Sequence, residues 1–225
     1  MLRRFETYAF LRGTEQADQE RLADVLLRAG HHIPEVLRSA VGWNHSPASS
    51  ELVWEHFFDS PAAYRRYMVH PYHADLIDRY VLADSPERVV ETVRGAGLFG
   101  YHCDDAPVYA LPVRVVALLD LDPEAGDAVE RRLWDDLEEA GTEVGADAIR
   151  WGANTLANAW FDGVTPLPGP PPRWSHIWEA GLPAASPTGL DAVLDHAPVR
   201  AHRQLLYNVV RLPSRTGAAE GVPLP

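Results

Sequence analysis

Residues 54–58, Trp54-Glu55-His56-Phe57-Phe58, and residues 174–178, Trp174-Ser175-His176-Ile177-Trp178, read as one kind of strand written twice, and this repetition decides the fold. Each run sets aromatic residues and a histidine at alternate positions, the period of a strand with one apolar face. Outward from these runs, the two halves of the chain keep step. Val41-Gly42-Trp43-Asn44 precedes the first run and Ile149-Arg150-Trp151-Gly152 the second, each reading as a short strand. Farther upstream, apolar strands begin at residues 8–11 and 115–119. A helical stripe of Leu22, Val25, Leu26 and Ala29 lies between Thr14 as cap and Gly30. Its counterpart, Val129, Leu133, Leu137 and Ala140, lies between Asp122-Pro123 and Gly141. Downstream, Ser60-Pro61 and Ser186-Pro187 each open a second helix, ending near His70 and near His196. Apolar strands at residues 88–93 and 205–212 close the two units. The Gly- and Pro-rich stretch 163–172 reads as a longer loop in the second.

Each unit therefore runs strand, helix, strand, strand, helix, strand. The fold class is α+β: two fused ferredoxin-like βαββαβ units whose antiparallel sheets pack as an α+β barrel. A four-stranded antiparallel sheet with helices on one face leaves its other face bare, and a second copy in the same chain covers it. The boundaries expected are 1–98 for the first unit, 99–112 for a linker, 113–212 for the second unit and 213–225 for a disordered tail of small and polar residues.

Bulk properties narrow the function. The chain has 225 residues, 46% of them apolar, and a formal net charge of −12. That charge leaves no basic footprint for nucleic acid and disfavours an anionic membrane surface. A single cysteine, Cys103, excludes an internal disulfide and a multi-thiolate zinc site. The N-terminus shows no apolar signal core, and a soluble, cytoplasmic protein is expected. The ten histidines include no ligand-spaced cluster, so no metal and no cofactor are expected.

Residues 67–73, Tyr67-Met68-Val69-His70-Pro71-Tyr72-His73, with Val41-Gly42-Trp43-Asn44 and Phe57-Phe58-Asp59-Ser60, resemble the stress-responsive A/B barrel (Dabb) family of the dimeric α+β barrel superfamily. The resemblance covers most of residues 3–94 and, more weakly, 113–212. It implies a barrel normally built from two subunits, here in one chain, as a monomer or a homodimer of fused chains. One family enzyme is a plant polyketide cyclase that closes a ring by aldol condensation, and its catalytic tyrosine and histidine would correspond to Tyr67 and His73. Other members resemble binding or stress-associated proteins, and some barrels of the superfamily bind haem. The second half departs from the motif: it reads Val193-Leu194-Asp195-His196-Ala197-Pro198-Val199.

The residues themselves support a chemistry for the first half. Pro71 breaks the helix, so Tyr67 ends one segment and His73 begins the next, aimed at one space from two directions. A neutral imidazole is a base near pH 7, and a phenol donates to a carbonyl oxygen that gains charge. Trp54, His56 and Phe58 share a strand face and would line the pocket, with Tyr64, His70 and Tyr72 at its rim. The alternative for each is structural: Tyr67 and the aromatics as core, His56, His70 and His73 as histidines satisfied locally. The expected function is a cyclase, aldol-type lyase or dehydratase acting on a small apolar or aromatic carbonyl compound. The alternatives are a non-catalytic binding protein and a haem or oxygenase-type member.

Overall fold

Alternation in the first strand sends Arg4, Glu6 and Tyr8 to one face and Arg3, Phe5 and Thr7 to the other, and the barrel is organised around that division. The computed structural model describes residues 1–44, 51–101, 111–154, 174–184, 190–195 and 198–211. In order, the elements are β1 (Leu2–Phe10), α1 (Gln16–His32), β2 (Arg38–Asn44), β3 (Glu51–Phe58), α2 (Pro61–Met68), a π-helical stretch (Tyr72–Ile77), α3 (Asp78–Val81) and β4 (Val90–Tyr101). Then come β5 (Val113–Leu121), α4 (Asp127–Glu143), β6 (Asp147–Asn154), β7 (His176–Leu182), α5 (Leu190–Leu194) and β8 (Val199–Arg211). No helix among the described residues is long and apolar enough to cross a membrane.

The strands close a barrel in the order β1-β3-β2-β8-β5-β7-β6-β4. The expected antiparallel α+β barrel is therefore present, and its two seams are hydrogen-bonded ladders, β2 with β8 and β4 with β6. At the first seam Gly42 is required: a Cβ there would stand 2.4 Å from Tyr207 Cδ2 and 2.6 Å from the Asn208 carbonyl oxygen.

Several boundaries move. β4 runs on to Tyr101, past the limit drawn at residue 98, because pairing with both β1 and β6 keeps it extended. Most of the expected linker (102–110), the Ser186-Pro187 helix start, His196 and the tail 213–225 lie outside the described residues. Ser60 caps α2 as expected, accepting from the Ala63 amide at 3.2 Å. Asp122 does not cap α4. It holds a turn through the Glu124 amide, and the helix starts after Gly126. Likewise Thr14 bonds the Leu11 carbonyl, and α1 starts after Glu15.

The barrel interior holds Phe5, Val53, Phe57, Val116, Leu118, Ile177, Leu205 and Tyr207 around a buried charge cluster. Arg3 pairs with Glu55 and Glu179, and Arg114 pairs with the same two carboxylates. Tyr207 approaches Glu55 Oε2 at 3.3 Å. Arg3 lies across the ladder from Phe57, two residues past Glu55. Arg114 lies across from Gly181, two residues past Glu179. The four charges thus sit in matching places of the two half-sheets.

This register corrects the correspondence read from sequence. Glu6, Trp54 and Val41 stand side by side on β1, β3 and β2, as Ala117, Trp178 and Trp151 do on β5, β7 and β6. Trp54 therefore matches Trp178, not Trp174. Trp174 precedes β7 and packs in the barrel interior, whereas Trp178 packs on the helix side. His56 matches Ala180, not His176.

Glu55→Gln should lower the free energy of unfolding by about 3–5 kcal/mol, because it leaves two buried guanidinium groups short of charge. Removing the exposed Arg28–Asp24 pair should cost less than about 0.5 kcal/mol. Chemical denaturation of both variants checks the contrast.

Candidate functional site

Helices α1, α2 and the π-helical stretch cover the outer face of β1 and β3, and the space between them holds an aromatic cluster with polar groups inside it. Ser60 and Pro61 start α2, whose one buried face carries Ala63, Tyr64 and Tyr67. At its end the chain turns through Val69 to Pro71, and the π-helical stretch points His73 and Ile77 inward. π-Helical turns occur often at functional sites, where the extra residue re-aims a side chain. As expected from the proline break, Tyr67 and His73 meet: their ring centroids are 4.4 Å apart, edge to face.

His56 lies under this pair, stacked on Trp54 at 3.9 Å and 5.0 Å from the Tyr67 ring. Phe58 and Tyr64 complete the aromatic wall, 5.0 and 5.9 Å from Tyr67. The cluster is tightly filled, with Tyr67 only 1% exposed and His73 8%. Both nitrogens of His56 and Nδ1 of His73 are buried without a hydrogen-bond partner among the described residues. Leaving such groups unmatched costs about 1–3 kcal/mol each.

Sequence reading missed a second set, on β1. Arg4 donates to Glu6 Oε1 and, through Nη1, to the Tyr64 hydroxyl at 3.2 Å. The Tyr8 hydroxyl donates to Glu6 Oε2 at 2.6 Å. The available signal was two charges at alternate positions of an apolar strand, on the same face as Tyr8.

The remaining candidates lie to the side. His70 Nδ1 accepts the Tyr72 amide at 3.1 Å, and Tyr72 faces α1, donating to the Val25 carbonyl at 2.9 Å and stacking on His32. The Trp54 indole donates to Ser39 Oγ at 2.9 Å. A groove of about 440 Å³ lies between α4 and α5 in the second half, lined by apolar and acidic residues and one arginine.

Burial sets the protonation states. It pushes the His56 pKa well below its ordinary value, helped by the Arg4 charge, so His56 is neutral. Burial also lowers the His73 pKa, against the opposing pull of Asp78, whose carboxylate lies 3.9 Å away, and of Glu6. Tyr67 is held well above its ordinary pKa, first by burial and then by Glu6. The site therefore presents two neutral imidazoles and a neutral phenol beside a fixed cation.

No family profile and no curated protein sequence matches this chain. Solved structures match it in fold. A candidate monooxygenase from Fusobacterium nucleatum subsp. nucleatum superposes with a TM-score of 0.64, at 8% identity, over 95% of this chain and 94% of its own. An anthrone oxidase-like protein gives 0.56 at 10% identity, covering 93% and 91%. The chlorite dismutase of Candidatus Nitrospira defluvii, with imidazole bound, gives 0.52 at 9% identity, covering 93% and 90%. At these identities the likeness establishes the fold alone, an antiparallel α+β barrel.

Of the described histidines, His56, His73 and His176 do not fit a haem iron. His56 and His73 have their free nitrogens closed in by Trp54, Tyr67 and Phe58, with no face open to a porphyrin. His176 is engaged at both nitrogens, by Ser175 Oγ at 3.0 Å and Glu130 at 3.4 Å. No three potential metal ligands cluster among the described residues.

Because folding lowers the pKa of both His56 and His73, the unfolded chain binds protons that the folded chain refuses. Stability is then complete above the ordinary histidine pKa and falls as pH drops below it, by about 1.4 kcal/mol per pH unit for each fully linked proton. Denaturation midpoints measured from about pH 7.5 to about 5.5 should decline. His56→Leu should flatten that decline, and an unchanged slope would contradict the assignment.

Proposed function

We propose that the chain is an enzyme that removes a proton from a small, enolisable aromatic carbonyl compound and delivers the carbanion to dioxygen, using its own side chains as acid and base. One observation carries this reading. On the outer face of the first half-sheet stand Arg4, Glu6, Tyr8 and His56, and at the matching ladder positions of the second stand Val115, Ala117, Leu119 and Ala180. All four of the latter are buried. The fold is satisfied by apolar residues there, which supports a role beyond folding for the polar set in the first half.

His73 is the general base and Tyr67 the hydrogen-bond donor to the carbonyl oxygen. The C–H bond breaks, its proton goes to His73, and its electron pair forms a C–O bond with dioxygen. The terminal peroxide oxygen recovers the proton from His73. Loss of water, taking the second hydrogen of the methylene carbon and cleaving the O–O bond, leaves a carbonyl. In this reading substrate enters past the turn at Val69, which is 76% exposed. The monooxygenase-like and anthrone oxidase-like neighbours support an oxygenase over other outcomes of the same proton removal. The second half is, in this reading, a diverged copy that keeps the barrel closed.

A second reading rests on the Tyr67 to His73 run and its likeness to the Dabb family: the same carbanion attacks a second carbonyl, giving aldol cyclisation without oxygen. An oxygen electrode and product mass spectrometry, with an anthrone and a linear polyketone as probes, separate the two. Oxygen uptake matching product formation is expected, and His73→Ala and Tyr67→Phe should each lower kcat/KM by about 10²-fold. Turnover that persists without oxygen assigns the cyclase. Tryptophan quenching without product from either probe assigns a binding protein. Undiminished turnover in both variants removes the pair from the mechanism.

A further inference from the structure

The barrel fold as such does not call for the ion pair on β1. Buried salt bridges are on average neutral or unfavourable compared with apolar residues of similar size, and the second half fills the same ladder positions with Val115 and Ala117. The interior quartet differs, since both half-sheets contribute to it equally. Whatever retains Arg4 and Glu6 acts on the helix side of the first half alone.

Arg4 is placed to meet a ligand. It stands directly across the ladder from His56. Its Nε and Nη2 hold Glu6 Oε1, Nη1 reaches the Tyr64 hydroxyl, and the guanidinium carbon lies 5.9 Å from the Tyr64 ring centroid. Glu6 is fixed on its other oxygen by Tyr8. Among the described residues these contacts occupy three of the five N–H donors of the guanidinium. Its side chain keeps 15% exposure within an otherwise sealed cluster. The ionisable groups facing it are Glu6, Tyr8, Tyr64, Tyr67, His56 and His73. An oxygen that becomes negative between Tyr67 and His73 would have this guanidinium as a nearby cation, with Glu6 and the Asp78 carboxylate, 3.9 Å from His73 Nδ1, as the opposing charges.

We propose that Arg4, oriented by Glu6 and Tyr8, is the oxyanion-binding residue of the site, so that the ligand is held as a phenolate or enolate. This deepens the proton-abstraction reading: as the C–H proton passes to His73, the charge arising on the carbonyl oxygen is taken up beside Arg4. A preorganised cation at that point acts on the transition state, whereas Glu6 and Tyr8 act only through Arg4. Ligands that cannot carry an anionic oxygen are then excluded, since they would leave the site's donors unmatched.

The test uses p-nitrophenol, whose neutral and ionised forms absorb at different wavelengths, titrated into the full chain across pH. Bound to the wild-type chain, its apparent pKa should fall by about one unit or more. The double variant Arg4→Val/Glu6→Ala, which copies the second half and leaves no orphaned charge, should lose that shift while keeping its melting temperature. Arg4→Lys, a smaller change, should retain part of it. His73→Ala should leave the shift intact while lowering kcat/KM for the anthrone probe by about 10²-fold. An equal shift in wild type and double variant, or a wild type that takes up only the neutral phenol or none, overturns the proposal. An Arg4-dependent shift with no turnover of any probe upholds the anion site and rejects the proton-abstraction chemistry.

Discussion

The Arg3–Glu55–Arg114–Glu179 cycle is the interaction on which the barrel depends. Each arginine reaches both carboxylates, so every charge bridges the two half-sheets as well as its own. In a buried interior a single unpaired charge is far more costly than the complete set. The two sheets are therefore stable together and poorly matched apart. The hydrophobic surroundings, from Phe5 to Tyr207, supply the bulk of the burial. They are indifferent to register, since apolar contacts are non-directional. The charges are not indifferent, because one step of slip would turn Arg3 or Glu55 to the other face.

Two sets of buried charges thus occupy the two faces of β1, and they obey different logic. Those facing the barrel axis recur in both halves and serve assembly. Those facing the helices belong to the first half only, where they border neutral imidazoles and phenols whose pKa values burial has displaced. Perturbed titrating groups in one place are a mark of function but also of ordinary ion-pair networks. In the second half the matching positions of β5 and β7 are held by Val115, Ala117, Leu119 and Ala180.

Much of this was legible in the sequence. The strand and helix order followed from alternating and 3.6-residue patterns, and Ser60-Pro61 gave the start of α2. The proline break correctly brought Tyr67 to His73, because the geometry of that turn is local. What sequence could not supply was registration between distant strands. Trp54 was aligned with Trp174 on the strength of a shared Trp-x-His. The true match is Trp178, which differs in its neighbours but sits at the same place in the ladder. For the same reason Arg4, Glu6 and Tyr8 passed unnoticed as part of the site: their relation to His56 and Tyr64 exists only across strands and layers. Helix starts at Asp122 and Thr14 were misplaced because both side chains were taken up by turns just before the helices.

The order of pairing around the barrel also sets the order in which it can be made. β2 (Arg38–Asn44) finds its second neighbour only in β8 (Val199–Arg211), the last strand of the chain, and β4 waits for β6. During synthesis the first half therefore emerges with two open sheet edges and with Glu55 and Arg3 facing no partner from β5 or β7. Such edges readily pair with other chains, and contacts of this sequence separation form slowly. A ribosome-bound first half is a species to be shielded, and only the arrival of the final strand removes its reason to aggregate.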